Sequence, residues 1–267
     1  MCMKNHYGPW AFIAGGSEGI GAEIGAELAS RGINICMVAR NASALKEQQQ
    51  LLQSNYGIEV IAETLDLSNP AAVTEIENLT RTLDIGFYAH VASSAPLDSY
   101  LDTSQERHHR ALQVNVNLLH DLTYHFTSRM KERGSGGVIL CSSMASLSPF
   151  PYNAQYSANK AYIRILGEAL WFELKEFNID VLTLIISEVS TPALLRSGSK
   201  LQGKGRTLSP SEVVEEAFTV IGKAPSLITG KKNRITAFIA QYLIPKKKMM
   251  KILARQITRY EEPPDVH

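Results

Sequence analysis

Short, nearly continuous apolar runs alternate along this chain with longer stretches in which apolar residues recur every third or fourth position. The runs at 10–14, 33–39, 60–65, 86–92, 138–141 and 181–186 are rich in Val, Ile and aromatics, as expected of strands buried on both faces of a sheet. The stretches 20–31, 42–55, 70–83, 104–133 and 154–177 carry helical spacing. A repeated strand–helix order requires right-handed crossovers, so the pattern predicts an α/β fold on a doubly wound parallel sheet. No internal repeat or break in composition interrupts residues 1–230, which are expected to form one dinucleotide-binding and catalytic domain. Residues 231–267 follow as a basic C-terminal helical extension.

Composition supports a large core, with 45% hydrophobic and 20% charged residues. A net charge of +1 argues against nucleic acid as a partner. That balance conceals an uneven distribution: residues 231–259 hold nine Lys or Arg and no acidic residue. Three irregularly spaced cysteines, Cys2, Cys36 and Cys141, form neither a disulfide framework nor a metal-ligand set. They fit a reducing cytoplasm. No secretory signal is visible, and no apolar run reaches the roughly 18–20 residues of a membrane-spanning helix.

The first predicted strand leads into Ala14-Gly15-Gly16-Ser17-Glu18-Gly19-Ile20-Gly21. Glycines at 15, 19 and 21 permit a tight turn that brings backbone close to a pyrophosphate. The helix opening there presents unpaired N–H groups to an anion. The second strand ends in Arg40, where an enzyme using NAD would carry an acid for the ribose hydroxyl. A guanidinium there suits a 2′-phosphate, which selects NADP(H). Ser17 and Ser43 could add hydroxyl donors. Asp66 follows the third strand and either meets the adenine or caps a turn. Residues 190–208, rich in Gly, Ser, Lys and Leu, follow the sixth strand, where parallel sheets bind ligands, and read as a substrate lid.

Tyr156 and Lys160 are four apart at the start of a predicted helix and share a face. A free phenol, with a pKa of about 10, is a poor acid–base near neutrality. A neighbouring ammonium stabilises the phenolate, so that the phenol can give its proton to a carbonyl or take one from an alcohol. Ser143, thirteen residues before Tyr156, reaches the same sheet edge and can hold a substrate oxygen. Asn115, polar among apolar neighbours in the long predicted helix, marks a water site, a helix irregularity or a satisfied polar residue.

Together these residues resemble the short-chain dehydrogenase/reductase family, in order from about residue 8 to about 230. The resemblance implies a Rossmann-type fold, a catalytic group of Ser143, Tyr156 and Lys160, and a proton-relay water organised by Asn115. It also implies that Thr191 holds the nicotinamide carboxamide. The expected cofactor contacts are Gly15, Ser17, Gly19, Ile20, Gly21, Arg40, Asp66, Leu67, Ala92, Tyr156, Lys160, Val189 and Thr191. Three positions depart from the family pattern: Ala14 replaces Thr, His90-Val91-Ala92-Ser93 replaces Asn-Asn-Ala-Gly, and Ile186-Ser187 replaces Pro-Gly. The segments Tyr7-Gly8-Pro9-Trp10, Leu83-Asp84-Ile85-Gly86-Phe87 and Ser142-Ser143-Met144 are similar to the bacterial 7β-hydroxysteroid dehydrogenase group within that family.

The expected substrate wall is Leu147, Phe150, Tyr152, Leu194 and Leu195, which favours an apolar ketone such as a steroid. The alternatives are a β-ketoacyl reductase, a non-catalytic NADP(H)-binding sensor and a nucleotide-sugar epimerase. His90, His108, His109 and His125 lack metal-ligand spacing, so no metal is expected. In the tail, Met249, Met250, Leu253, Ile257 and Tyr260 share a helical stripe with bases opposite. Such a helix packs on the domain or a subunit interface, the favoured reading, or rests on an anionic membrane. A homodimer or homotetramer is expected through the long helices holding Asn115 and Tyr156.

Overall fold

The structure, a computed structural model, describes residues 3–95, 99–192, 194 and 207–261. Strands β1 (Trp10–Ala14), β2 (Asn34–Ala39), β3 (Val60–Thr64), β4 (Ile85–His90), β5 (Gly136–Ser143), β6 (Ile179–Ile186) and β7 (Ser226–Ile228) form one sheet in the order β3-β2-β1-β4-β5-β6-β7. Every pairing is parallel. Around it lie α1 (Met3–Tyr7), α2 (Gly19–Ser30), α3 (Ala42–Tyr56), α4 (Ala72–Thr80), α5 (Gln105–Leu112), α6 (Leu118–Arg133), α7 (Ala154–Glu173) and α8 (Pro210–Val220). The tail forms α9 (Lys231–Phe238) and α10 (Lys246–Glu261).

Alternate residues of each central strand feed two core layers. Ile13, Met37, Ile139 and Leu182 face α2, α3 and α8. Phe12, Val38, Tyr88 and Leu140 face α4, α6 and α7. On the second face Phe126 of α6 lies 4.9 Å from both Phe12 and Tyr88, ring centre to ring centre. Helix α7 sits close to the sheet because residue 167 has no side chain: a Cβ there would fall 2.1 Å from the Thr183 hydroxyl.

Several predicted boundaries shift. The long helix expected over 104–133 is broken by a π turn at Gln113–Asn117 with Asn115 at its centre. The helix expected over 70–83 contracts to α4. The fourth strand runs one residue earlier and stops at His90, after which Val91 and Ala92 donate to the Ala14 carbonyl. The apolar pattern predicts neither α8 nor β7, although Ser209-Pro210 and Glu212 form a capping box that starts α8. In the tail Met249 is buried, Leu253 is half-buried and Met250 is exposed, so only part of the expected stripe packs. Ile257 and Tyr260 have side chains outside the described residues, as does Leu195 with most of segment 190–208.

Phe126→Ala removes the ring that joins β1 and β4 to α6. Denaturant unfolding is expected to show a loss of about 3–5 kcal/mol; a loss below about 1 kcal/mol would mean the layer collapses around the gap.

Candidate active site

The strand order reverses between β1 and β4, and the carboxyl ends of β1, β2, β4, β5 and β6 meet at one edge. A cavity of about 590 Å³ opens there. Its lining includes Gly15, Ser17, Gly19, Ile20, Arg40, Asp66, Leu67, Ala92, Ser143, Tyr156, Lys160, Val189 and Thr191. Of the predicted site residues, Gly21 and Asn115 stand behind that wall.

The turn after β1 needs its glycines for space. Gly15 has φ +91° and its amide donates to the Val38 carbonyl at 2.8 Å. A Cβ at Gly15 would lie 2.7 Å from the Ala92 nitrogen, and one at Gly21 would lie 1.9 Å from the Gly15 oxygen. Helix α2 starts directly behind this cradle, and its N-cap Glu18 makes no side-chain cap bond. First-turn amides, which have no intrahelical acceptor, therefore border the cavity.

One end of the cavity is charged and exposed. Asp66 accepts from the Ser68 amide at 3.0 Å and hydroxyl at 2.8 Å, closing its own turn. Those two bonds, then the Arg110 and Arg40 charges, hold its carboxyl below the usual carboxylate range. Asp66 thus caps the turn and also faces the cavity. Arg110, from α5, lies 3.5 Å from the Asp66 carboxylate and lines the cavity with Arg40. Sequence reading missed Arg110, because a separation of 44 residues in an unremarkable helical stretch carries no local signal.

The other end is buried. Lys160 is 3% exposed, and its Nζ donates to the Cys141 carbonyl at 2.9 Å. The same Nζ lies 5.5 Å from the centre of the Tyr156 ring. Ser142 Oγ donates to the Lys160 carbonyl at 2.7 Å, stitching α7 to β5. Ser143 ends β5, its Oγ accepting from the Ala145 amide at 3.2 Å. Beside Tyr156, the Gln155 amide donates to the His108 carbonyl at 2.8 Å, and its Oε1 meets His108 Nδ1. His108 Nε2 in turn bonds the Tyr100 carbonyl at 2.9 Å. These contacts tie the N-terminus of α7 to α5.

Asn115 braces the loop after β4. Its Oδ1 accepts from Ser93 Oγ at 3.1 Å and the Ser94 amide at 3.0 Å, and its Nδ2 donates to the Ser94 carbonyl at 2.5 Å. Of the expected readings, the helix irregularity and the satisfied polar group both hold. His90, in place of the expected amide, is buried and shares a 2.7 Å hydrogen bond with the Tyr88 hydroxyl through Nδ1. Burial, and then the Lys160 charge, lower its pKa to about 3, so the ring is neutral. Burial pushes the Cys141 thiol up to about 12 and leaves it no nucleophile.

The expected apolar wall is largely elsewhere. Leu194 lines the cavity, but Leu147, Phe150 and Tyr152 do not. The chain turns through Met144–Ser146 after β5, and Tyr152, at φ +60°, stands half-exposed. Among the described residues no cluster of three or more His, Cys, Asp or Glu could hold a metal ion.

Comparison with known proteins adds to this geometry. The short chain dehydrogenase family model matches residues 9–201. The chain is 35% identical over 238 residues to the 7beta-hydroxysteroid dehydrogenase of Mediterraneibacter gnavus, covering 88% of this chain and 90% of that one. A solved structure of a 7beta-hydroxysteroid dehydrogenase superposes with a TM-score of 0.90 at 30% identity, covering 95% of this chain and 100% of its own. A short-chain dehydrogenase from Sphingobium yanoikuyae, solved with NADPH, shares the fold at a TM-score of 0.77 and 23% identity, over 97% and 98% of the two chains.

His90 gives this site a testable acid sensitivity. The unfolded chain protonates this ring near pH 6.5, the folded chain only near 3. Its contribution to stability is therefore complete above 6.5 and is lost as pH falls towards 3. Unfolding measured from pH 6 to pH 4 should show His90→Asn losing less stability than the parent, by up to about 1.4 kcal/mol per pH unit. Parallel slopes would show that the ring is not held neutral.

Proposed function

Because the chain belongs to the short-chain dehydrogenase family, and so is an oxidoreductase acting on CH–OH groups, we propose that it interconverts a ketone and a secondary alcohol on a steroid-like substrate with NADP(H). The observation that carries this reading is the buried Lys160 ammonium beside Tyr156 at the inner end of a glycine-cradled cavity.

The residues present fit the cofactor. The cradle at Gly15 and Gly21 leaves room for a pyrophosphate against the first-turn amides of α2. Arg40 supplies a planar fork for the 2′-phosphate, and Ser17, Gly19, Ile20, Leu67 and Ala92 frame the path between. Val189 and Thr191 border the nicotinamide end. When bound, the reduced cofactor supplies the hydride. Tyr156 donates its phenolic proton to the carbonyl oxygen as that oxygen gains charge. Lys160 stabilises the phenolate left behind, and Ser143 Oγ donates to the substrate oxygen. Asn115 acts at one remove, by fixing Ser93 and Ser94 on the cavity rim.

Similarity to 7beta-hydroxysteroid dehydrogenases favours a steroid carrying the carbonyl at that position. Exposed Tyr124 on α6 and Ile165 and Phe172 on α7 favour self-association through these helices. No described helix is long and apolar enough to cross a membrane. Two buried free thiols, Cys36 and Cys141, fit a reducing cytoplasm.

The direct test is NADPH oxidation across 7-keto steroids, β-ketoacyl esters and aromatic ketones. Turnover confined to β-ketoacyl esters would replace the steroid reading. Tyr156→Phe should lower turnover by about 10²-fold or more, with NADPH binding retained by fluorescence titration. A variant that keeps its rate would remove Tyr156 from the chemistry. Arg40→Asp should move preference from NADPH toward NADH, read as the ratio of kcat/KM values; an unchanged ratio would mean that another group reads the phosphate.

A further inference from the structure

The tail that follows β7 opens on Gly230 and enters α9, and its root is fixed to the cavity rim. Asn233 Nδ2 donates to Ser187 Oγ at 2.7 Å and to the Thr229 carbonyl at 2.9 Å, and Ser187 lines the cavity. From that root, Ala237 turns inward and is buried. Ile235 and Phe238 of α9, with Ile239 and Tyr242 of the π turn that continues it at Ile239–Leu243, are instead exposed. Ile235 is 64% exposed, Phe238 58%, Tyr242 71% and the following Leu243 67%. The Phe238 and Tyr242 rings lie against one another, 5.1 Å apart. Such a row of large apolar side chains facing water marks a binding surface.

The charges around the row indicate what it binds. Lys231 and Lys232 stand at its start, and Lys246, Lys247, Lys248 and Lys251 at its far end, all exposed. No acidic residue occurs between 231 and 259. Protein–protein interfaces are depleted in lysine. Helices that lie in a lipid headgroup layer are instead rich in lysine beside aromatic and aliphatic side chains, because the ammonium reaches the headgroups while its stem stays apolar. The long helices α6 and α7 offer a separate apolar surface for a second copy of the chain.

We propose that the exposed face of α9 and the π turn after it rests on an anionic lipid surface, with Ile235, Phe238, Tyr242 and Leu243 entering the headgroup boundary and the flanking lysines meeting lipid phosphates. The contact is peripheral. It places the cavity rim at Ser187 beside the phase in which an apolar ketone partitions. That delivery role rests on the steroid-like substrate proposed above; the lipid contact does not.

The test is sedimentation of the full chain with vesicles of phosphatidylcholine, with and without phosphatidylglycerol, at low and high salt. Binding should require phosphatidylglycerol and fall as salt rises. Lys246→Gln with Lys247→Gln should weaken it by about five-fold per lysine. Phe238→Ser with Tyr242→Ser should weaken it by about tenfold or more. These side chains are exposed, and circular dichroism melting checks that both variants fold; if the serine variant does not, the glutamine variant decides. Absence of vesicle binding, or binding indifferent to lipid charge and to both variants, overturns the proposal. So does a result in which vesicles are ignored and Phe238→Ser with Tyr242→Ser turns a dimer into a monomer by light scattering, since the face would then join two copies. Because vesicle binding is read without cofactor or ketone, its failure is distinct from a failure of the enzymatic reading.

Discussion

Lys160 is a cation with almost no surface in water, and the inner half of the cavity is arranged around keeping it there. Withdrawing an ammonium from solvent costs several kcal/mol unless fixed partners replace the hydration. The carbonyl of Cys141 is such a partner, at the end of a strand buried along its length. For it to serve, α7 must approach β5 and β6 closely. Gly167 against Thr183, buried Ile163 and the Ser142–Lys160 bond together set that approach. The same docking fixes Tyr156 one turn earlier on α7, so the geometry of the phenol–ammonium pair follows from helix–sheet packing.

The neighbours of that cation are neutral. Burial keeps the Cys141 thiol protonated and the His90 ring unprotonated. Neither can form a competing ion pair with Lys160, whose field is left for the phenol and the space beside it. His90 stands where the family pattern places an amide, and it keeps a polar contact there through Tyr88. The bracing of the loop after β4 falls to Asn115, which the π turn carries towards Ser93 and Ser94.

What the sequence made legible follows from what period and composition encode. Strands buried on both faces announce themselves as apolar runs, and glycines between a strand and a helix mark a tight turn there. Tyr156, Lys160 and Ser143 are legible as candidates because helical spacing and strand ends are local properties, and the fold brings all three to one cavity wall. The residues missed depend on contacts far apart in the chain. Arg110 reaches Asp66 only through tertiary packing, and β7 has three residues, too few to establish a period. The π turn depends on hydrogen bonds that sequence spacing does not encode, although Asn115 flagged the place. Leu147, Phe150 and Tyr152 are apolar and expected in the wall, and the 3₁₀ turn after β5 leads them away from the cavity. The α8 capping box, by contrast, is a local signature, Ser209-Pro210-Ser211-Glu212, that marks the helix start in the sequence itself.

The two ends of the cavity work in different dielectric regimes, which divides their roles. Arg40, Asp66 and Arg110 are exposed, and their attractions are cut by water and salt, so strength alone cannot make them selective. Under the function proposed above, selectivity there comes from shape: a planar guanidinium matches a phosphate in two places, and a carboxylate at the same position would repel it. At the inner end water is excluded from Lys160, and charge interactions there are several-fold stronger at equal distance. A small change in the separation of ammonium and phenol then outweighs a large rearrangement at the rim. The fold accordingly puts the β5 end and the first turns of α7 at the inner end, and Arg40, Asp66 and the α5 residue Arg110 at the outer one.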